Sequence, residues 1–374
     1  MYNSVCSVLV AYTLRYDTCC SVLAAYTLRY DSCCSVLVAY TLREFTLTIS
    51  VLSPCFPIVA LFGLITNITN IVVFLKAGVK DNVTTLLISL SMSDMMFLIL
   101  VTPSLCTFVI VYFVPDWPWP FYYGLLDELL YWPSYTFYDF SSCISVGLGV
   151  TRCACVAMPL HFKSVFTKAR TMKALLGVFI LVVSLRVPIM STFRLVWIKD
   201  SLTNSSTLSV KGQDVESITR FNDIVGRTSL PWVNFIIMII CVCVIRLKLY
   251  QASMALKYHT ATSVPASASK QAPEAQDHQG RSAKDLRVIQ CVVLICCIFI
   301  VSQLPFLTYA TYRLIDQEFD TDGRLRFLLF TFGAISRATS YLNASVNIFV
   351  YYKYNRTYRL ILLTMLRLKR KNAQ

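Results

Sequence analysis

Long runs of apolar residues separated by short polar links organise the chain from residue 47 to residue 352. Seven such runs cover 47–75, 83–113, 124–158, 171–195, 227–250, 285–314 and 325–352. Each has the length to cross a hydrocarbon layer as a helix, which takes about 20 residues. Two links are distinctive. Trp197 to Arg227 is long and polar and carries the sequon Asn204-Ser205-Ser206. Gln251 to Lys284 is rich in Ala, Ser, Gln and Pro and reads as a mobile loop. After the last run, Lys353 to Arg370 alternates basic residues with Tyr354, Tyr358, Leu360, Ile361, Leu363, Met365 and Leu366. That pattern predicts a short amphipathic helix on the membrane surface. The expected fold is all-α: a seven-transmembrane helix bundle with a short amphipathic C-terminal helix.

The first 44 residues differ. They repeat with a period of 14, as SVLVAYTLRYDTCC from Ser7, SVLAAYTLRYDSCC from Ser21 and SVLVAYTLRE from Ser35. Arg15, Asp17, Arg29, Asp31, Arg43 and Glu44 cut the apolar runs below spanning length. No basic start with a small-residue cleavage site is present, so a signal peptide is not expected. The division is a repeat tail (1–44, a duplicated extracellular segment or an over-extended reading of the gene), a membrane domain (45–352) and a basic tail (353–374).

Charge places the ends. The chain is 56% hydrophobic and 14% charged, too little charge for a soluble surface of this size. Its net charge of +14 could signal nucleic acid, but position argues against that. From Tyr352 onward there are seven Lys and Arg and no acid, directly after an apolar run, where anionic inner-leaflet lipid is the fitting partner. Between Val101 and Thr151 there is no Lys or Arg, only Asp116, Asp127, Glu128 and Asp139. The asymmetry sets the C-terminus in the cytoplasm. Seven spans then put the N-terminus and Asn204 outside, and Asn204 is the glycosylation candidate. The 15 cysteines do not form a metal pattern: Cys296-Cys297 has no second pair or His at ligand spacing.

Polar residues inside spans cost about 2.5–3.5 kcal/mol for a central charge, so each needs a reason. Asp94, Asn67, Ser141, Asn343 and Asn347 lie within apolar runs. The two asparagines, four apart, share a helical face. Together these residues can form one buried polar cluster.

Here the sequence resembles the rhodopsin-like G-protein-coupled receptors. Leu90-Ser91-Met92-Ser93-Asp94 is similar to their LAxxD motif, and Asn343 to Tyr351 to LNxxxNPxxY with Ile348 in the proline's place. Thr151-Arg152-Cys153 with Ala157-Met158-Pro159-Leu160 resembles the DRY…PL segment, of whose triplet only the arginine remains. Phe299 to Pro305 resembles FxxCWLP, with Gln303 for the tryptophan. Pro231 and Tyr358 fit the helix-five proline and the surface-helix aromatic. The match covers about 47–370. Departures are equally plain. The cysteine expected near Leu126–Asp127 is missing, and Val196 to Gly226 has none, so a crosslink worth about 2–4 kcal/mol is forgone. Helix four lacks its tryptophan, and Ile239 replaces the helix-five tyrosine. The stretch from Arg152 to Phe166 looks similar to molluscan chemosensory receptors.

The resemblance implies a plasma-membrane receptor that couples an extracellular chemical cue to a heterotrimeric G protein. By the same likeness, Asp94, Ser141, Asn343 and Asn347 would hold an allosteric sodium ion; a protonated Asp94 hydrogen-bonded in the bundle is the alternative. Arg152, Leu160, Asp285, Pro305, Asn347 and Tyr351 would form the coupling switch. Asp285 is either a lock on Arg152 or a first-turn charge favoured by the helix dipole. Pocket candidates are Ser134, Tyr138, Gln303, Phe306, Tyr309, Arg337 and Tyr341. Ser134 stands where amine receptors carry aspartate, and Tyr341 where opsins carry the retinal lysine. Arg337 suits a carboxylate ligand, or else pairs with Asp139 or Glu128. A second reading is an FMRFamide-like neuropeptide receptor, with acidic outer loops for a cationic peptide. A transporter or channel would need inverted repeats or interrupted half-helices, which the spans lack. No enzyme constellation is present: His161, His259 and His278 fall in cytoplasmic segments, away from any nucleophile.

Overall fold

A computed structural model describes residues 32–79, 81–114, 121–122, 124–158, 162, 164–199, 206–213, 215–262, 272–316, 318–320 and 323–366. Its helices are α1 (Ser32–Ala77), α2 (Asn82–Phe113), α3 (Leu125–Ala157) and α4 (Lys168–Met190). α5 is built from Glu216–Phe221, a π-helical stretch Asn222–Ser229, and Leu230–Thr262. α6 is Ala272–Ile315, α7 consists of Arg326–Ser345 and Asn347–Tyr354, and α8 is Arg356–Met365. Around the bundle α1 packs on α2 and α7, α5 on α6, and α6 on α7. α3 runs through the middle, against α2, α4, α5 and α6.

Among the described residues six helices are long and apolar enough to cross a membrane, and they belong to α1 to α6. α7 completes the seven. It is more polar, carrying Thr331, Ser336, Arg337, Thr339, Ser340, Asn343 and Ser345, and several of these face the bundle rather than lipid. Lipid-facing residues such as Ile58, Ile65, Leu176 and Ile240 are exposed, as a bilayer solvent requires.

The third repeat copy is helical and continuous with α1, because no Gly or Pro interrupts it before Pro54. Three expectations need correction. The expected mobile loop is helical at both ends: α5 reaches Thr262 and α6 begins at Ala272, over Ala-, Gln- and Lys-containing sequence of good helix propensity. The fourth span stops at Met190, and Phe193–Lys199 becomes a strand (β1) paired antiparallel with β2, Ser206–Gly212. FRLVWIK is apolar enough to prolong a span, but its aromatic and β-branched residues fit a pleat. Finally, α5 starts at Glu216 rather than 227, with its π-helical stretch inside.

α7 breaks at Val346 although Ile348 replaces the proline of the motif. Phe349 N–H bonds back to Val346 O at 3.1 Å, a tight turn that lets the helix restart at Asn347. Asn355 then caps α8, its Oδ1 accepting from Tyr358 N at 3.0 Å. α8 lies against α1, where the buried Tyr358 hydroxyl donates to Asn70 Oδ1 at 2.6 Å.

Candidate functional site: a charged cavity and a buried polar cluster

Mid-bundle, the carboxylate of Asp94 accepts from Ser141 Oγ on α3 and from Asn347 Nδ2 on α7, the latter at 3.0 Å. Asn67 on α1 donates to Ala344 O at 2.7 Å, and Thr66 Oγ1 donates to Ser345 O at 3.2 Å. These contacts need α1 and α7 close together. Gly63 permits it: a Cβ there would lie 2.2 Å from Ser345 Oγ. Asn343 is half-buried one turn before Asn347 and is not bonded to Asp94. Asn67 Oδ1 and Ser91 Oγ are buried without a hydrogen-bond partner. An oxygen-rich interior with a carboxylate and spare acceptors fits a hard monovalent cation.

A second polar centre lies on the side of α4 and α5. Arg186, 1% exposed, donates from Nε and Nη2 to Asp139 Oδ2 on α3 at 2.9 and 2.5 Å. Its Nη1 donates to Asn222 Oδ1 at 2.7 Å, and Nη2 also reaches Gly226 O at 3.2 Å. The last two groups belong to the π-helical stretch of α5. A Cβ on Gly226 would come 2.9 Å from Arg186 Nη1, so a glycine is what lets the guanidinium approach this backbone. Thr228 and Ser229 hydroxyls bond the carbonyls five residues back, at 2.9 and 2.8 Å, in keeping with the wide turn.

Next to this centre opens a cavity of about 770 Å³. Asp127, Glu128, Tyr131 and Trp132 from the first turns of α3 form one wall. The β-hairpin contributes Arg194, Val196, Val210 and Lys211, and α5 contributes Asn222, Asp223 and Arg227. α6 adds Tyr309 and Arg313, and α7 adds Phe330, Gly333 and Arg337. Arg227 donates to Tyr309 Oη at 3.2 Å and to Asp223 Oδ1 at 3.3 Å, and its guanidinium stands 5.8 Å from the Trp132 ring centre. Arg186 stands 5.5 Å from the same ring, so Trp132 has two cations within reach of its ring.

Of the seven pocket candidates, Tyr309 and Arg337 line this cavity. Ser134 is buried and donates to Tyr131 O within its own helix. Tyr138 and Gln303 bond each other at 2.7 Å, and Phe306 and Tyr341 belong to an apolar core with Phe97 and Tyr135. These five make the packed layer beneath. Asp139 pairs with Arg186, not with Arg337; the charge near Arg337 is Asp127. Sequence reasoning passed over Arg186 and Arg227. The signal was there for Arg186, a cation well inside an apolar run whose other cations, Lys173 and Arg194, lie near its ends.

At the other end Arg152 is half-buried on α3, and α6 passes Pro305 without a break. Tyr351 is buried against Phe74 and Tyr358. Leu160 and Asn204 lie outside the described residues, as do Lys369 and the side chain of Asp285.

Seven helices in this order around α3, with a charged cavity at one end and an arginine at the other, define a multi-pass membrane receptor. The family model for the seven-transmembrane receptors of the rhodopsin family matches residues 66–351, and the chain belongs to that family. A search of curated proteins found no match.

Proposed function

We propose that this receptor binds a small extracellular chemical in the cavity between α3, the hairpin, α5, α6 and α7, and passes the signal to a heterotrimeric G protein at the Arg152 end. The cavity carries the reading. About 770 Å³ lies within the range of small-ligand sites, roughly 300–1,000 Å³, and its walls combine aromatic rings with several convergent charges. The likeness to molluscan chemosensory receptors supports a chemical cue. The positive-inside pattern puts the hairpin, and with it the cavity, on the outer side, with Asn204 as the glycan site.

The cationic-peptide reading loses support from the loop between α6 and α7. Its described acids are already engaged: Glu318 accepts from Arg324 N and Nε, both at 3.1 Å, and Asp320 pairs with Arg313 at 3.2 Å. The Arg324 backbone N–H and guanidinium hold the Glu318 carboxyl below its usual range. Asp316 accepts from Glu318 N and from Tyr312 Oη.

Within the bundle, Asp94, Ser141 and Asn347 would hold a sodium ion, which would neutralise the carboxylate in the resting state. Arg152 is the coupling residue, restrained by Asp285 at rest, and Pro305 removes a backbone hydrogen bond from α6 and gives it a place to bend. Expression with a promiscuous G protein and a screen of amino acids, odorants and peptides for calcium release tests the reading. Arg152→Ala should abolish the response with surface level and ligand binding retained. Asp285→Ala should raise the ligand-independent signal about tenfold, as expected for loss of a charge-assisted bond. A response indifferent to Arg152→Ala would refute the coupling role, and a basal signal equal to wild type would refute the lock.

A further inference from the structure

We propose that the outer cavity takes a zwitterionic ligand, a free amino acid or short peptide with both termini bare, its ammonium group against Glu128 and its carboxylate at the Arg194–Lys211 strand pair. The proposal rests on the cavity being the ligand site, and two independent features give the ligand its two poles.

The first is Glu128. It stands in the first turn of α3, lines the cavity and is only 7% exposed. Its Oε2 is buried and has no hydrogen-bond partner. No salt bridge among the described residues includes it, although neighbouring Asp127 has Arg337 in electrostatic reach. A buried carboxylate oxygen without a donor is costly to keep. An ammonium group brings three donors and a full positive charge, and no acceptor that would go unpaired.

The second is the hairpin. Arg194 and Lys211 stand directly opposite each other in the β1–β2 register, and both line the cavity. Like charges at opposed strand positions destabilise a sheet, and neither residue is in a salt bridge among the described residues. A carboxylate between them turns that repulsion into two charge-assisted bonds. A purely cationic ligand would meet this pair unfavourably, and a purely anionic one would bring no donor to Glu128 Oε2. A molecule carrying both charges satisfies both ends, and the cavity has room for one larger than a single residue.

The test uses the full-length receptor in lipid nanodiscs. Binding by calorimetry is measured for the twenty free amino acids and for Gly-Xaa-Gly tripeptides, then for the N-acetyl and C-amide forms of the tightest binder. At least one bare zwitterion should bind, with each blocked form about tenfold weaker or worse. Glu128→Gln should weaken the bare ligand by a similar factor and leave the N-acetyl form unchanged. The Arg194→Gln, Lys211→Gln pair should weaken the bare ligand and leave the C-amide form unchanged. Absence of binding by every zwitterion, or equal binding of the blocked forms, overturns the proposal. G-protein nucleotide exchange in the same nanodiscs separates the two levels. Exchange stimulated only by a neutral odorant sinks the zwitterion and keeps the receptor reading. A bound zwitterion that never alters exchange does the reverse.

Discussion

The half of the bundle toward α8 (the inner half, in the proposed orientation) is stitched by neutral side chains, and the half toward the hairpin (the outer half) by charges. Inside, Asn67, Thr66 and Asn347 bond backbone carbonyls or the single carboxylate of Asp94 across α1, α2 and α7. Of these, Asp94 and Asn347 lie in segments that resemble family motifs. Outside, Arg186–Asp139 joins α4 to α3 and Arg313–Asp320 joins α6 to the loop after it, while Arg227–Asp223 braces the π-helical stretch of α5 from within; none of the three belongs to those motifs. The hairpin has no cysteine to hold it; Tyr122 N–H bonds to Leu208 O at 3.0 Å and secures it to the entry of α3. The difference teaches where this receptor is individual. Its inner half keeps residues that resemble the family motifs, while its outer half lacks the expected cysteine pair and has ion pairs around a cavity.

The largest expected effect comes from breaking the outer centre. Arg186→Met leaves Asp139, Asn222 Oδ1 and Gly226 O without their donor, and loss of one partner in a buried pair costs about 3–5 kcal/mol. Asp139→Leu combined with Arg186→Met removes both charges and should recover most of the loss. Thermal unfolding of detergent-purified receptor reads both variants. A double variant as unstable as the single one would mean that the pair itself, not the orphaned charge, supplies the stability. The charges would then be more than a substitute for a crosslink.

A smaller effect tests the inner cluster. If sodium sits with Asp94, replacing sodium chloride by N-methylglucamine chloride at equal ionic strength should lower wild-type stability by about 1–3 kcal/mol, the size of a ligand well above its dissociation constant. Asp94→Asn should melt equally in both salts. Wild-type receptor indifferent to sodium would favour a protonated Asp94 held by Asn347 and accepting from Ser141. The inner half would then carry no exchangeable charge, and the contrast with the outer half would be complete.

The bundle was legible because hydrophobic length is a strong signal, and Asp94, Ser141 and Asn347 because a polar residue in a span needs a partner. The pocket was legible only in part. Family positions point to the level of Ser134 and Tyr341, yet here Phe97, Tyr135, Phe306 and the Tyr138–Gln303 bond fill that level. The cavity is displaced toward the hairpin, which no periodicity announced, since FRLVWIK continues an apolar run. Arg186 was readable as a charge out of place, but its partner was not, because Asp139 and Arg186 are 47 residues apart.

The smallest effect concerns the inner end, where a neutral bond ties α8 to α1. Tyr358 is buried beneath Phe74 and Tyr351, with ring centres 5.2 and 5.6 Å away, and its hydroxyl meets Asn70. Tyr358→Phe keeps the ring packing and removes the hydroxyl, so it should cost about 0.5–1.5 kcal/mol. Asn70→Leu together with Tyr358→Phe makes both partners apolar and should cost no more than the single change, because no acceptor is left bare. Asn70→Leu alone strands the hydroxyl and should be the worst of the three. Thermal unfolding of the three variants orders them. If Tyr358→Phe instead costs as much as Arg186→Met, the inner half depends on single bonds as strongly as the outer half depends on charge. The distinction between a neutral inner half and an ionic outer half would then be one of chemistry alone, not of strength.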